Sequence, residues 1–101
     1  MSRFDIYQLQ GIGNPHVVDV QSDLLKHLNT VVTVPLIKKT RAIDIEMVQL
    51  KPKINFQDKE WIFVTTDMGA IPRTSIKKTV GNISNQQDDI IRAIDFLFSG
   101  F

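Results

Sequence analysis

The sequence has 101 residues, 43% of them hydrophobic, with a formal net charge of +1 and no cysteine. Such a chain predicts one folded domain rather than a disordered segment. It excludes a disulfide framework, thiolate metal ligands and a thiol nucleophile, and its charge balance argues against general attraction to nucleic acid.

In chain order, Arg3 to Leu9 reads as a first strand with Phe4 and Ile6 on one face. Gly11-Ile12-Gly13-Asn14-Pro15 is a strong turn signal. His16 to Gln21 then alternates His16, Val18 and Val20 against Val17, Asp19 and Gln21, so the two strands predict a hairpin. Thr30 to Ile37 is the most β-prone run, and its Pro35 implies an edge, a bulge or a strand that changes sheets. Ile43 to Leu50 is a strand or a short helix. Lys53 to Phe56 and Trp61 to Thr65 flank Gln57-Asp58-Lys59-Glu60, which predicts another hairpin. Short extended pieces follow at Ala70–Thr74 and Thr74–Val80.

Ser84 to Phe101 predicts one amphipathic helix. Ser84 is placed at the N-cap, with Gln87 completing a capping box, and Asp88 and Asp89 lie near the positive end of the helix dipole. Ile90, Ile94, Leu97 and Phe101 recur at helical spacing, widened by Ile91 and Phe98, and Gly100 is the expected stop. Short strands followed by one terminal helix predict a mainly β fold, either a small twisted barrel or paired sheets with a helix appended.

Candidate chemistry is sparse. His16 and His27 fall on different elements and lack the converging partners a zinc site needs. Ser75-Ile76-Lys77-Lys78 fits S-x-x-K but lies in a β-like, basic stretch rather than opening a helix. Gly11-x-Gly13 is followed by a strand and not by a phosphate-binding helix. Asp19 and Asp23 are read as structural, with Asp23 capping a short turn over Leu24-Leu25. Lys38, Lys39, Arg41, Lys51, Lys53, Lys59, Arg73, Lys77 and Lys78 are interspersed with carboxylates, as on a solvated sheet face. No enzyme, cofactor or metal is expected. What remains is apolar and positional: Leu24-Leu25 either fill the barrel mouth or form a patch, and Phe98 with Phe101 either close the core or meet a partner. Met1 to Asp5 lacks a signal-peptide core and no run approaches the roughly 18–20 residues of a membrane span, so a soluble, cytoplasmic protein without membrane contact is expected.

Three segments together resemble the CcdB toxins of toxin–antitoxin modules: Val18-Asp19-Val20-Gln21-Ser22-Asp23; Thr65-Thr66-Asp67-Met68 leading to Pro72; and Ala93-Ile94-Asp95-Phe96-Leu97-Phe98 followed by Ser99-Gly100-Phe101. The resemblance spans the chain, including Val34-Pro35-Leu36 and Trp61. It implies an SH3-like barrel with a small additional β-sheet and a long C-terminal helix. It further implies a homodimer that binds the A subunit of DNA gyrase, traps the cleaved-DNA complex without catalysis, and is neutralised by a CcdA-like antitoxin. The gyrase-facing positions of the family fall on Leu24, Leu25, Asp95, Phe98, Ser99, Gly100 and Phe101. The best-known members carry Asn, Trp and Ile where Asp95, Ser99 and Phe101 stand. The family Trp stacks on an arginine of gyrase, which serine cannot do, so binding is expected to be weakened or retuned. Two alternatives remain. One is a MazF-type endoribonuclease on a related barrel, with Arg73, Lys77 and Lys78 supplying charge although the R-P-V signature is missing from the first hairpin. The other is a non-toxic remnant that only binds antitoxin.

Overall fold

The β1 (Asp5–Leu9) and β2 (His16–Asp19) strands form the predicted antiparallel hairpin, with Ile6 opposite Val18 and Tyr7 opposite Val17. The chain is seen here in a computed structural model that describes residues 1–39 and 49–100. Residues 43–48 of the ambiguous Ile43–Leu50 piece, and Phe101, therefore lie outside the described residues.

Period-two alternation sorts the hairpin onto two buried faces. Phe4, Ile6, Val18 and Val20 join the main core with Val34, Leu36, Ile54, Trp61, Phe63, Ile83 and Ile90. Tyr7 and Val17 point the other way and pack with Val31, Leu9, Ile71 and Ile76. Phe4 adopts a left-handed backbone (φ 72°). Its N–H donates to the Asp19 carbonyl at 2.7 Å and its own carbonyl accepts from Ile83 at 2.9 Å, so two long-range bonds hold an otherwise disfavoured conformation.

The third strand, β3 (Thr30–Lys38), pairs with β2 along one side and changes partner along the other. Thr30–Thr33 face β6 (Gly69–Pro72), whereas Leu36–Lys38 face β5 (Lys59–Phe63). Pro35 stands at this exchange. Its carbonyl accepts the Val64 N–H at 3.0 Å. Its nitrogen faces the same side, between the two ladders, so the missing N–H breaks neither. The hairpin of β4 (Lys53–Phe56) and β5 turns on only Gln57 and Asp58, both at positive φ (55° and 61°), the geometry of a type I′ turn. The four-residue loop expected from sequence is shorter because Lys59 and Glu60 pair with Phe56 and Asn55.

Strand β7 (Ile76–Asn82) pairs with β1 through two register shifts, which add local twist. The order β4-β5-β3-β2-β1-β7, with β6 on β3, makes one curled antiparallel sheet. Its outermost strands meet. The Phe56 ring lies so close to Gly81 that a Cβ there would stand 2.5 Å from Phe56 Cε1. Gln86 closes the same seam: its amide oxygen accepts the Asn55 N–H at 3.0 Å and its amide nitrogen donates to the Asn55 carbonyl at 2.8 Å. One side chain thus supplies the pairing that the β4 edge would otherwise present to another strand.

The one α-helix among the described residues, α1 (Gln87–Ser99), follows a 3-10 turn over Ser84–Gln86. Ser84 is not its N-cap and no capping box forms. Instead Asn82 Oδ1 accepts the Ser84 N–H at 2.9 Å, which starts the tighter turn and displaces the helix start to Gln87. Asp88 and Asp89 occupy the first turn as expected. Ile90 and Ala93 are buried, and Ile91 and Ile94 pack against the main core. Gly100 ends the helix in the left-handed conformation (φ 74°), its N–H bonded to the Phe96 carbonyl at 2.9 Å. Among the described residues no helix is long and apolar enough to cross a membrane.

Candidate functional site

Where β2 ends, Gln21-Ser22-Asp23 direct three polar side chains at the turn that follows. Ser22 Oγ accepts the Leu24 N–H at 3.2 Å and caps a 3-10 turn over Asp23–Leu25. Asp23, expected as the cap, instead accepts the Arg3 N–H at 2.7 Å. Gln21 reaches across to the Leu25 carbonyl at 3.2 Å. Arg73 holds the far end of the loop, its Nε donating to the Leu28 carbonyl at 2.6 Å and its N–H to the Asn29 carbonyl at 2.9 Å.

The result is a turn that shows its leucines to solvent. Leu24 is 85% exposed and Leu25 43%. They do not fill a barrel mouth, because the turn is tied down by polar bonds and not by apolar contacts.

Beneath the turn, the Tyr7 hydroxyl donates to Asp19 Oδ2 at 2.5 Å, and Asp19 Oδ1 accepts the Gln21 N–H at 3.0 Å. Both side chains are buried. Burial pushes the Asp19 carboxyl above the usual carboxylate range, against the opposing pull of the Tyr7 hydroxyl, the Gln21 N–H and Arg73. Burial, and then the Asp19 carboxylate, push the Tyr7 phenol up. Asp19 and Asp23 are therefore occupied by separate structural bonds rather than facing one cleft as an acid–base pair.

The second group lies on α1. Phe98 falls off the buried stripe and is 72% exposed, so it is not core. Ser99 and Gly100 beside it are exposed, as is Asp95, which shares a shallow outer surface with Asp88, Ile91 and Arg92. The structure carries the expected contact residues on two separate elements. Leu24 and Leu25 hang from β2, β3 and Arg73, whereas α1 seats on the Thr65–Asp67 turn. Phe101 lies outside the described residues.

The remaining candidates are occupied otherwise. The His16 ring lies 5.0 Å from Trp61, where burial and, less strongly, Lys38 push its pKa down against a hydrogen bond at Asn14. Lys38 Nζ stands 5.6 Å from the Trp61 ring. Ser75 Oγ donates to the Pro72 carbonyl at 2.6 Å, in a 3-10 turn that ends before Lys78. Gly11 and Gly13 lie at positive φ in the first hairpin's connection. Among the described residues, no cluster of His, Cys, Asp or Glu is arranged to hold a metal ion. Sequence reasoning missed the roles of Gln21 and Arg73, whose partners are brought together only by the fold. Ser22 had a local signal, a serine two residues before an exposed N–H.

The family model described as CcdB protein matches residues 3–100. The chain belongs to the CcdB family. Its fold is shared by solved toxins of low sequence identity. The Mycobacterium tuberculosis toxin MazF-mt6 is 16% identical, with 93% of this chain and 95% of that chain covered and a TM-score of 0.74. An endoribonuclease in complex with its cognate antitoxin, from a mycobacterial species, is 14% identical over 97% of this chain and 94% of that one, at a TM-score of 0.76. At these identities the fold alone is shared. Membership of the CcdB family makes the chain the toxin component of a toxin–antitoxin module.

Proposed function

We propose that this CcdB-family toxin binds the A subunit of DNA gyrase and traps the enzyme on cleaved DNA. In this reading it catalyses no reaction itself, acts as a homodimer, and is withdrawn from gyrase by a CcdA-type antitoxin. The exposure of Phe98 at the end of α1 carries the proposal. An aromatic side chain held in water beside a helix terminus gains from burial against a partner. Leu24 and Leu25 offer a second apolar contact, and Asp95, Ser99 and Gly100 complete the surface. In the dimer, two copies of each element are available to one target.

The test is direct. Purified protein mixed with its cognate gyrase A domain is expected to form a complex, and with whole gyrase and DNA to accumulate cleaved DNA. Absence of any complex overturns the proposal.

A second reading, RNA cleavage, is favoured by the fold shared with endoribonucleases. It has little chemistry to draw on. Arg73 is already bonded to the Leu28 carbonyl, and Ser75 to the Pro72 carbonyl. RNA incubated with the protein without gyrase is expected to stay intact; specific cleavage would favour the endoribonuclease reading.

A further inference from the structure

The Gln21 side chain does more than end a strand. Its Oε1 accepts the Val32 N–H at 3.2 Å, while its Nε2 donates to the Leu25 carbonyl at 3.2 Å and the Thr30 carbonyl at 3.4 Å. Both amide hydrogens and one acceptor position are thus used. The Gln21 backbone is itself fixed, since its N–H donates to the buried Asp19 carboxyl. A continuous chain of bonds therefore runs from the buried Tyr7 hydroxyl through Asp19 and Gln21 to the carbonyl of an exposed leucine.

We infer that Gln21 is a positioning residue for partner binding: its amide fixes the Asp23–Leu25 turn so that Leu24 and Leu25 dock without first being ordered. The inference rests on reading those leucines as a contact for the gyrase A subunit. Its physical content is that an exposed loop otherwise loses conformational freedom on binding, and that this cost is met beforehand when the loop is already fixed. The β2–β3 ladder does not depend on Gln21, because His16 to Asp19 pair with Leu36 to Thr33 through their backbones. The bonds from Gln21 to Leu25 and Thr30 lie at the surface and leave the core untouched. Gln21→Glu separates the two duties. It keeps an acceptor for the Val32 N–H but sets a carboxylate against two carbonyls, losing the loop bonds.

The experiment measures the Kd for a gyrase A fragment in the full-length protein, in Gln21→Ala, in the pair Leu24→Ala/Leu25→Ala, and in all three substitutions combined. Gln21→Ala is expected to weaken binding about tenfold when the leucines are present and less than about twofold when they are absent, with the thermal midpoint lowered equally in both backgrounds because the Val32 N–H loses its acceptor. Gln21→Glu is expected to follow Gln21→Ala. Equal losses in both backgrounds, or no loss in either, overturn the inference.

Amide exchange of the free protein separates this from the partner assignment. The Leu25 and Leu28 N–H groups, bonded to Ser22 and Leu25 carbonyls at 3.0 and 3.1 Å, are expected to exchange about tenfold faster in Gln21→Ala. If the unsubstituted protein binds no gyrase but exchange accelerates, the partner assignment falls and the brace stands. Unchanged exchange overturns the brace whatever the partner.

Discussion

The two candidate contact sites, the Leu24-Leu25 turn and the end of α1, are supported in opposite ways. The Leu24-Leu25 turn is held by side chains of Gln21, Ser22, Asp23 and Arg73 that reach from several parts of the chain. The end of α1 is held by the helix's own backbone, closed by the Gly100 bond to Phe96. A short turn has no repeating ladder to fix its shape, so an outward-facing leucine there needs dedicated polar partners. A helix of 13 residues projects Phe98 by its own repeat, provided the opposite face is anchored by Ile90 and Ala93. The turn should therefore be fragile to polar substitutions and the helix end indifferent to them.

Asp19→Ala should break the contrast most severely. It leaves the Tyr7 hydroxyl and the Gln21 N–H without their partner in a buried site, and about 3 kcal/mol of unfolding free energy should be lost. Urea denaturation checks this; a loss below about 1 kcal/mol would mean that the site relaxes or admits water. Phe98→Ala should do the reverse. Stability should change by less than about 0.5 kcal/mol, as for surface positions generally. Gyrase affinity should fall by about 2 kcal/mol, as for a central aromatic contact; calorimetry of both quantities checks the split. Ser99→Trp sharpens the helix side: it restores the aromatic face carried by the best-known family members and should strengthen gyrase binding by ~1–2 kcal/mol. Unchanged affinity would mean that this surface docks in another orientation.

Gln86→Ala tests whether the seam belongs to either site. It should cost about 1 kcal/mol of stability through lost pairing of Asn55, with gyrase affinity unaltered. The smallest effect is in pH. The Asp19 pKa is raised by burial, so the folded protein retains a proton that the unfolded chain releases above about 4. This contribution to stability is fully present below the ordinary value of 3.8 and declines as pH rises through the raised one. Asp19→Asn should remove that decline, read as the difference between the two pH profiles of thermal midpoint.

Legibility followed the range of the interactions. The hairpin, the long third strand, the Ile90–Ile94 part of the helix stripe and Gly100 are set by period, turn residues and backbone preference within a few positions, and each formed near its expected place. Pro35 announced a discontinuity, and the structure resolves it as an exchange of ladder partners. The Ser84 cap failed for a local reason: Asn82 competes for the same N–H, and the resulting 3-10 turn moves the helix start. Gln86, one position from the residue expected in the capping box, is spent on Asn55, 31 positions away. No periodicity encodes that pairing. The exposure of Leu24 and Phe98 was equally open, since apolar residues in a turn or off a helix stripe read alike whether they face the core or a partner. Only family resemblance pointed outward for both.

Among the described residues, the bonds that shape the leucine turn contain no ion pair. Gln21 and Ser22 are neutral, and Asp23 and Arg73 each meet an uncharged backbone group. Beyond the pull of Arg73 on the buried Asp19, ionic strength therefore has little to act on, because screening chiefly weakens attraction between separated charges. The turn should keep one shape from dilute buffer to concentrated salt. Any salt dependence in the capture of a partner then reports the fields of the two surfaces as they approach, including that of Lys26 within the loop. It does not report the melting of the contact that closes on arrival.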